Sequence, residues 1–278
     1  MATSTHEGFA AEPIPDDIAA VLQSTAAERG SLGSRVRYFA EIGSTNDAAA
    51  RAADRGEPDG LLIIAGAQTA GRGRLGRTWF SPPGAGIYAS VILRDASSAP
   101  AVTLAGGVGV AEGVRRATGL PVEIKWPNDV VSVPGQAFSA RRKLAGILAE
   151  ASTSARGLQY VILGFGINLR AASLPPDLTD RATSLETELG RAVDGAHVLG
   201  CVLVGLHRAI EQVARGEVAE VLARWRVLAP SAHGAAIEWD TAAGVQTGVT
   251  AGLAADGALL ARTASGVQRI VAGEVRWV

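Results

Sequence analysis

The chain has 26 basic residues, and only two of them are lysine, Lys125 and Lys143. The other 24 are arginine. A lysine is a compact point charge and an arginine a wide planar fork, so the two do not exchange freely in a tight site. In a chain whose default cation is arginine, each lysine marks a position where a point charge can have a purpose. The first lies in Lys125-Trp126-Pro127-Asn128-Asp129 and the second in Lys143-Leu144-Ala145-Gly146-Ile147-Leu148. The densest chemical signal is Gln68-Thr69-Ala70-Gly71-Arg72-Gly73-Arg74-Leu75-Gly76-Arg77-Thr78-Trp79-Phe80. Its glycines let a backbone approach a ligand and present N–H groups. Its arginines match carboxylate and phosphate oxygens by paired hydrogen bonds. Trp79 offers a flat apolar face. Together they suit an anionic ligand with a planar part, such as a nucleotide. The phosphate-binding pattern Gly-x-x-x-x-Gly-Lys-Ser/Thr is absent. Gly71, Gly73 and Gly76 match Gly-x-Gly-x-x-Gly by letter, but no helix plainly opens behind them, and the match is weak.

Polar residues also stand at the ends of apolar runs. Asn168 closes Gly164-Phe165-Gly166-Ile167-Asn168, and Asn128 and Asp129 follow a proline. Each reads equally as a turn former or as a ligand-facing group. Ser44, Thr45 and Asn46 fit a helix cap, and Gln68 a strand end; all four also fit recognition of a neutral polar group.

These residues need a scaffold. Residues 36–42 and 61–67 read as strands, and a helix is expected from Ser44-Thr45-Asn46-Asp47 to about Asp54. Residues 68–83 form a loop, 87–93 a strand, 101–118 a glycine-containing helix and 122–126 a short strand. Residues 144–151 and 160–169 read as paired strands joined by a polar turn. The path of 130–142 is not legible, and 171–183 reads as a loop. A short helix over 18–27 precedes all of these. Val198, Val202, Leu206, Ile210 and Val213 recur at helical spacing, as do Val218, Val221, Leu222, Trp225 and Leu228. After Ala229-Pro230 the pattern changes to short strands with turn signals at Asp256-Gly257 and Ser265-Gly266. The expected class is α+β: a mixed β-sheet with flanking helices over 1–229, then a small β-barrel over 230–278.

The net charge of −1 provides no global field for nucleic acid or anionic membrane. The one cysteine, Cys201, lies in an apolar run and has no partner for an internal disulfide. Residues 1–15 do not read as a signal peptide. No apolar run reaches the roughly 20 residues of a membrane span. A cytoplasmic setting is the expectation.

Five segments, in this order, together resemble the biotin protein ligases: Ser44-Thr45-Asn46; Gly71 to Trp79; Lys125-Trp126-Pro127-Asn128-Asp129; Lys143-Leu144-Ala145-Gly146-Ile147-Leu148-Ala149-Glu150; and Gly164-Phe165-Gly166-Ile167-Asn168. They cover about residues 36 to 170. The resemblance implies a synthetase-like catalytic domain followed by an SH3-like module. It implies an enzyme that joins biotin and ATP into biotinyl-5′-adenylate, with magnesium, and passes the biotinyl group to a lysine of a biotin carboxyl carrier domain. By that resemblance Ser44, Thr45, Asn46 and Gln68 hold the biotin ring. Arg72, Gly73, Arg74 and Gly146 lie on the biotin side as well. Arg74, Arg77, Trp79, Lys125, Asn128 and Asn168 surround the nucleotide, with magnesium near Asn128 and Asn168. Lys143 touches both ligands, and Lys143 and Arg74 carry the chemistry. Asp129 is either a proton acceptor for the incoming lysine or a turn residue. About 35 residues precede the first matching strand, too few for a winged helix-turn-helix, so operator binding is not expected.

Two other readings remain at this point. A lipoate ligase shares the superfamily, but its Gly-Gly-Gly stretch and His-Asp pair are absent. A nucleic-acid module could use the arginine–glycine loop, against which stand the near-neutral charge and the few aromatic residues.

Overall fold

The computed structural model describes residues 11–94, 98–135, 140–155, 157–175 and 178–278. Parts of four expected segments lie outside them: the N-terminus, the stretch 130–142, the turn before residue 160 and the loop 171–183. Twelve strands and six α-helices follow one another among the described residues. Seven strands form the main sheet. They are β1 (Val36–Ile42), β2 (Leu62–Gln68), β3 (Gly86–Leu93), β4 (Val122–Lys125), β5 (Asp129–Ser132), β6 (Lys143–Ser154) and β7 (Gly157–Asn168). Their spatial order is β1-β2-β3-β7-β6-β5-β4. Only β1 and β2 run parallel; every other neighbour is antiparallel. The sheet is therefore mixed, as the class predicts.

Period-two alternation divides the side chains of this sheet between two cores. In β2, Leu62 and Ile64 join one apolar cluster while Ile63 and Ala65 join another. The larger cluster packs under α3 (Ala99–Thr118), α5 (Gly195–Ala214) and α6 (Val218–Leu228). The smaller one packs under the alanine face of α2 (Thr45–Asp54), through Ala49, Ala52 and Ala53. Glycine in a helix costs about 1 kcal/mol against alanine, yet α3 contains four. Two have a packing reason: a Cβ on Gly109 would lie 2.6 Å from the Leu206 backbone, and one on Gly113 2.4 Å from Val202 Cα. Helices α3 and α5 thus touch nearly backbone to backbone.

The remaining helices are α1 (Asp16–Ser24) and α4 (Leu185–Leu189). The expected first helix therefore starts two residues early and stops at Ser24, where Thr25 leaves the helical conformation. Two elements were not anticipated. β5 folds back on β4 through Trp126-Pro127-Asn128, pairing Lys125 with Asp129. α4 is a single capped turn, with Ser184 accepting from the Thr187 N–H.

The chain closes with β8 (His233–Thr241), β9 (Gly244–Leu253), β10 (Leu259–Thr263), β11 (Gly266–Ile270) and β12 (Val275–Trp277). They form an antiparallel sheet of order β11-β10-β9-β8-β12, consistent with a small SH3-like module. It is anchored to the main sheet by buried Trp126, whose indole N–H donates to the Gly257 carbonyl at 3.0 Å.

Candidate active site

The α2 face of the sheet has a hollow, made by omitting side chains. Gly146 on β6 stands opposite Gly166 on β7, and Leu148 opposite Gly164. A Cβ on Gly164 would lie 2.0 Å from Asn46 Oδ1, and one on Gly166 2.4 Å from the Trp79 indole nitrogen. Glycine is required here by close approach. Asn46 and Trp79 occupy the two halves of the space it leaves.

The inner cavity, about 50 Å³, is lined by Ser44, Thr45, Asn46, Gln68, Arg72, Gly73, Arg74, Trp79, Asn128, Lys143 and Gly146, with strand residues such as Ala89 and Phe165. Six separate segments therefore meet around one small space. Ser44 precedes α2 as its cap residue, but its side chain makes no capping hydrogen bond. A relay of hydrogen bonds fixes the polar wall. The Ser81 hydroxyl accepts from the Gln68 amide at 2.9 Å, and Gln68 Oε1 accepts from the Thr45 N–H at 2.9 Å and the Thr45 hydroxyl at 3.1 Å. Ser90, wholly buried on β3, reaches Thr45 Oγ1 at 2.8 Å and Asn46 Oδ1 at 2.6 Å. Asn46 then donates to Glu150 at 2.7 Å, and Glu150 also holds Arg72. Ser81, Ser90 and Glu150 were not singled out as site residues. Ser90 had a signal, being a hydroxyl in the middle of the apolar run Ile87 to Leu93.

Arg77, Lys125 and Asn168 do not line the inner cavity. They line an adjoining cleft of about 1080 Å³, together with Trp126, Pro127, Arg141 and the C-terminal Glu274 and Trp277. Lys143 borders both spaces. Its ammonium sits 2.7 Å from Asp129 Oδ1 and 5.2 Å from the centre of the Trp79 ring. Asp129 is thus a counter-ion to Lys143 in this arrangement. The Lys125 ammonium lies 5.0 Å from the centre of the Trp277 ring, with the Arg141 guanidinium 5.2 Å from the same centre. Burial lowers the Lys125 pKa, opposed by the charges of Asp129 and Glu274. Burial likewise lowers that of Arg74.

The arginine loop is folded down by contacts to four distant parts of the chain. Arg72 pairs with Glu150 on β6 and, at 3.0 Å, with Asp47 on α2. Arg74 donates to Asn128 Oδ1 at 3.1 Å. Arg77 engages both carboxylate oxygens of Glu274, one at 3.0 Å. That pairing raises the Arg77 pKa and holds the Glu274 carboxyl below its ordinary range. Leu75 has φ +56° at the loop tip and is largely exposed.

Asn128 and Asn168, expected beside the magnesium, are both held by protein contacts. The Asn128 oxygen is taken by Arg74, and its amide donates to the Ile147 carbonyl at 3.0 Å. Asn168 is buried and donates to the Thr183 carbonyl at 3.0 Å. Among the described residues no cluster of three or more His, Cys, Asp or Glu side chains could hold a metal. Nor is any described helix long and apolar enough to cross a membrane.

This combination, a mixed sheet with a glycine-floored polar pocket and a basic cleft beside a small β module, is that of an adenylate-forming ligase. The Biotin/lipoate A/B protein ligase family matches residues 38–168. The Bifunctional ligase/repressor BirA of Bacillus spizizenii is 32% identical over 249 residues, covering 88% of this chain and 74% of the relative. The Biotin--[acetyl-CoA-carboxylase] ligase of Paracoccus denitrificans is 33% identical over 246 residues, 85% of this chain and 98% of the relative. A structure of the biotin protein ligase from Aquifex aeolicus in complex with biotin and ATP superposes with a TM-score of 0.75 at 28% identity, covering 88% and 99% of the two chains. The chain belongs to the biotin protein ligase family.

Proposed function

We propose that this protein activates biotin with ATP and transfers the biotinyl group to a lysine of a biotin carboxyl carrier domain. The observation that carries this reading is the convergence of Lys143, Arg72 and Arg74 where a polar pocket meets a nucleotide-sized cleft. In the first step a biotin carboxylate oxygen attacks the α-phosphorus of ATP, and the bond to the β-phosphate breaks to release pyrophosphate. Two anions must come together, and fixed cations lower that repulsion and stabilise the charge of the transition state. Lys143, as a point charge on the border of both spaces, can meet both anions. In the second step the amine of the acceptor lysine attacks the acyl carbon, AMP leaves, and the amine loses a proton.

Ser44, Thr45, Asn46 and Gln68 supply the hydroxyl and amide groups that a neutral cyclic urea requires. Arg72, Gly73 and Arg74 cover the carboxylate, and Gly146 leaves it room. Arg77, Lys125, Asn128 and Asn168 face or shape the nucleotide side, with Trp79 as a flat wall between. Magnesium would enter with the triphosphate, whose charge it neutralises; it commonly keeps several waters and few protein ligands. The lipoate reading is not favoured, since the relatives at this level of identity are biotin ligases.

The test is incubation with ATP, magnesium and either biotin or lipoate, scoring pyrophosphate release. Release with biotin only is expected. Release with lipoate only, or with neither acid, would overturn the assignment.

A further inference from the structure

Glu150 lies on β6 where period-two alternation brings Gly146, Leu148 and Glu150 to the cavity face. Its Oε2 atom serves two donors from different parts of the site: the Asn46 amide at 2.7 Å and the Arg72 guanidinium. Asn46 is held in place from its other end by Ser90 at 2.6 Å, and is only 4% exposed. Arg72 belongs to the loop that closes the cavity. A single carboxylate oxygen therefore links the wall of the ring pocket to the closing loop.

We propose that Glu150 is the positioning residue that couples occupation of the ring pocket to seating of the arginine loop. This rests on the biotin reading above. The coupling follows from solvent access. Without ligand the Arg72–Glu150 pair is exposed to water, with side-chain exposures of 41% and 36%. Such pairs are worth little, about 0–1 kcal/mol. A ring seated beside Asn46 removes water from one side of the shared oxygen. The bridge then lies in a medium of lower dielectric, where an ion pair strengthens and a hydrogen-bonded chain gains most. This coupling is separate from the direct contacts of the ligand with Arg72 and Arg74. The ring acts by drying the bridge that the loop already makes. Asp47, the other carboxylate on Arg72, lies 3.0 Å away, but the Asn46 side chain bonds to Glu150 and Ser90 and not to the Asp47 carboxylate, so Asp47 holds the loop without reporting on the pocket.

The measurement is tryptic cleavage after Arg77, an exposed loop residue that Glu150 does not touch, with and without biotin. Couplings of this kind amount to about 5–150-fold, so biotin should slow cleavage of the parent by about tenfold. In Glu150→Gln the slowing should fall below about twofold, while calorimetry still finds biotin binding within about fivefold of the parent. A merely structural role for Glu150 would change cleavage equally in both states and leave the ratio intact; that result overturns the proposal. Asp47→Asn should keep the parental ratio. If it abolishes the ratio as fully as Glu150→Gln does, general charge rather than the shared oxygen is responsible, and the proposal fails. Should Glu150→Gln not fold, Glu150→Asp carries the same test, since one methylene fewer prevents it from reaching both donors. A parent that binds biotin without protection overturns the coupling alone. A parent that binds no biotin overturns the ligase reading and the coupling with it.

Discussion

Replacing Lys143 tests the reasoning about the reacting anions most directly. Its ammonium has one counter-ion, Asp129, at 2.7 Å, and its side chain is 33% exposed. A unit charge about 4 Å from an anion contributes about 4 kcal/mol at an effective dielectric near 20. One third exposure screens part of this, leaving about 2–3 kcal/mol toward the two ligand anions together. Lys143→Ala also leaves Asp129 unpaired beside the incoming phosphate, which adds repulsion of similar sign. At 1.36 kcal/mol per decade, about 2–3 kcal/mol slows adenylate formation by about 30–150-fold, and the repulsion from Asp129 takes it further. Lys143→Arg should fail for a second reason. The last atoms of the lysine lie 3.2 and 3.3 Å from where a Gly146 Cβ would be, and the indole of Trp79 stands on the same side. A planar fork has no room to turn there. The assay is single-turnover pyrophosphate release with saturating biotin and ATP, accompanied by thermal melts to show that both variants fold. A Lys143→Arg protein that forms adenylate at near the parental rate would refute the point-charge argument.

Three other outcomes follow from the same geometry. Gly164→Ala or Gly166→Ala places a methyl group on Asn46 or Trp79; overpacking of this kind costs about 1–3 kcal/mol, so biotin affinity by calorimetry should drop by about tenfold or more with an unchanged circular dichroism spectrum, and parental affinity would contradict the glycine-floor account. Arg77 depresses the Glu274 pKa, so the pair contributes stability above the ordinary glutamate pKa near 4.3 and loses it as pH falls through the lower folded value; Glu274→Gln should therefore melt slightly below the parent at neutral pH and level with it in acid, and an equal gap throughout would exclude the pair as its source. With two lysines in the whole chain, both at the site, self-labelling by the activated acyl group should be low and confined to the N-terminal amine, Lys125 or Lys143; mass spectrometry after incubation with biotin and ATP checks this against a variant carrying lysine at Arg51, Arg215 and Arg262, and a variant that gains no label would sink the idea.

The parts of the fold that were legible in sequence are those whose partners are local. β1 follows the anticipated bounds because its apolar run ends at Gly43, and α2 because its alanine stripe and first-turn Asp47 are consecutive. β5 escaped because Pro127-Asn128 reads as the end of a strand, whereas the chain continues as the return arm of a hairpin with a three-residue turn. In the site, the motif residues were legible by type, but their connections were not. Glu150 stands in a quoted segment, yet its partner Asn46 is 104 residues away. Glu274 and Trp277 had no local signal at all, since a carboxylate and a tryptophan near a chain end have many uses. Only the packing of the small β module against the cleft gives them one.

That packing bears on how a near-neutral protein gathers so many cations in one place. Arg72, Arg74, Arg77, Lys125, Arg141 and Lys143 all border the cavity or its cleft. Left alone they would repel one another, and burial would disfavour the charged form of Lys125. Each salt-bridged one instead has an anionic partner: Glu150 and Asp47 for Arg72, Glu274 for Arg77, Asp129 for Lys143, and the buried Glu123 for Arg141. Lys125 and Arg141 also share the Trp277 face, which attracts cations without adding a charge. The ligand-free site is thus ordered by side-chain anions in the positions where substrate anions arrive. Incoming phosphates must displace or share those partners, so part of their binding energy goes into exchanging one anion for another. The arginines need little rearrangement at that moment. A net charge of −1 gives little long-range steering, and recognition falls to these exchanges at contact. Substitutions of the partner carboxylates should therefore act on nucleotide and biotin affinity with opposite signs, tightening phosphate binding where Glu274 is removed and loosening the ring-coupled loop where Glu150 is removed.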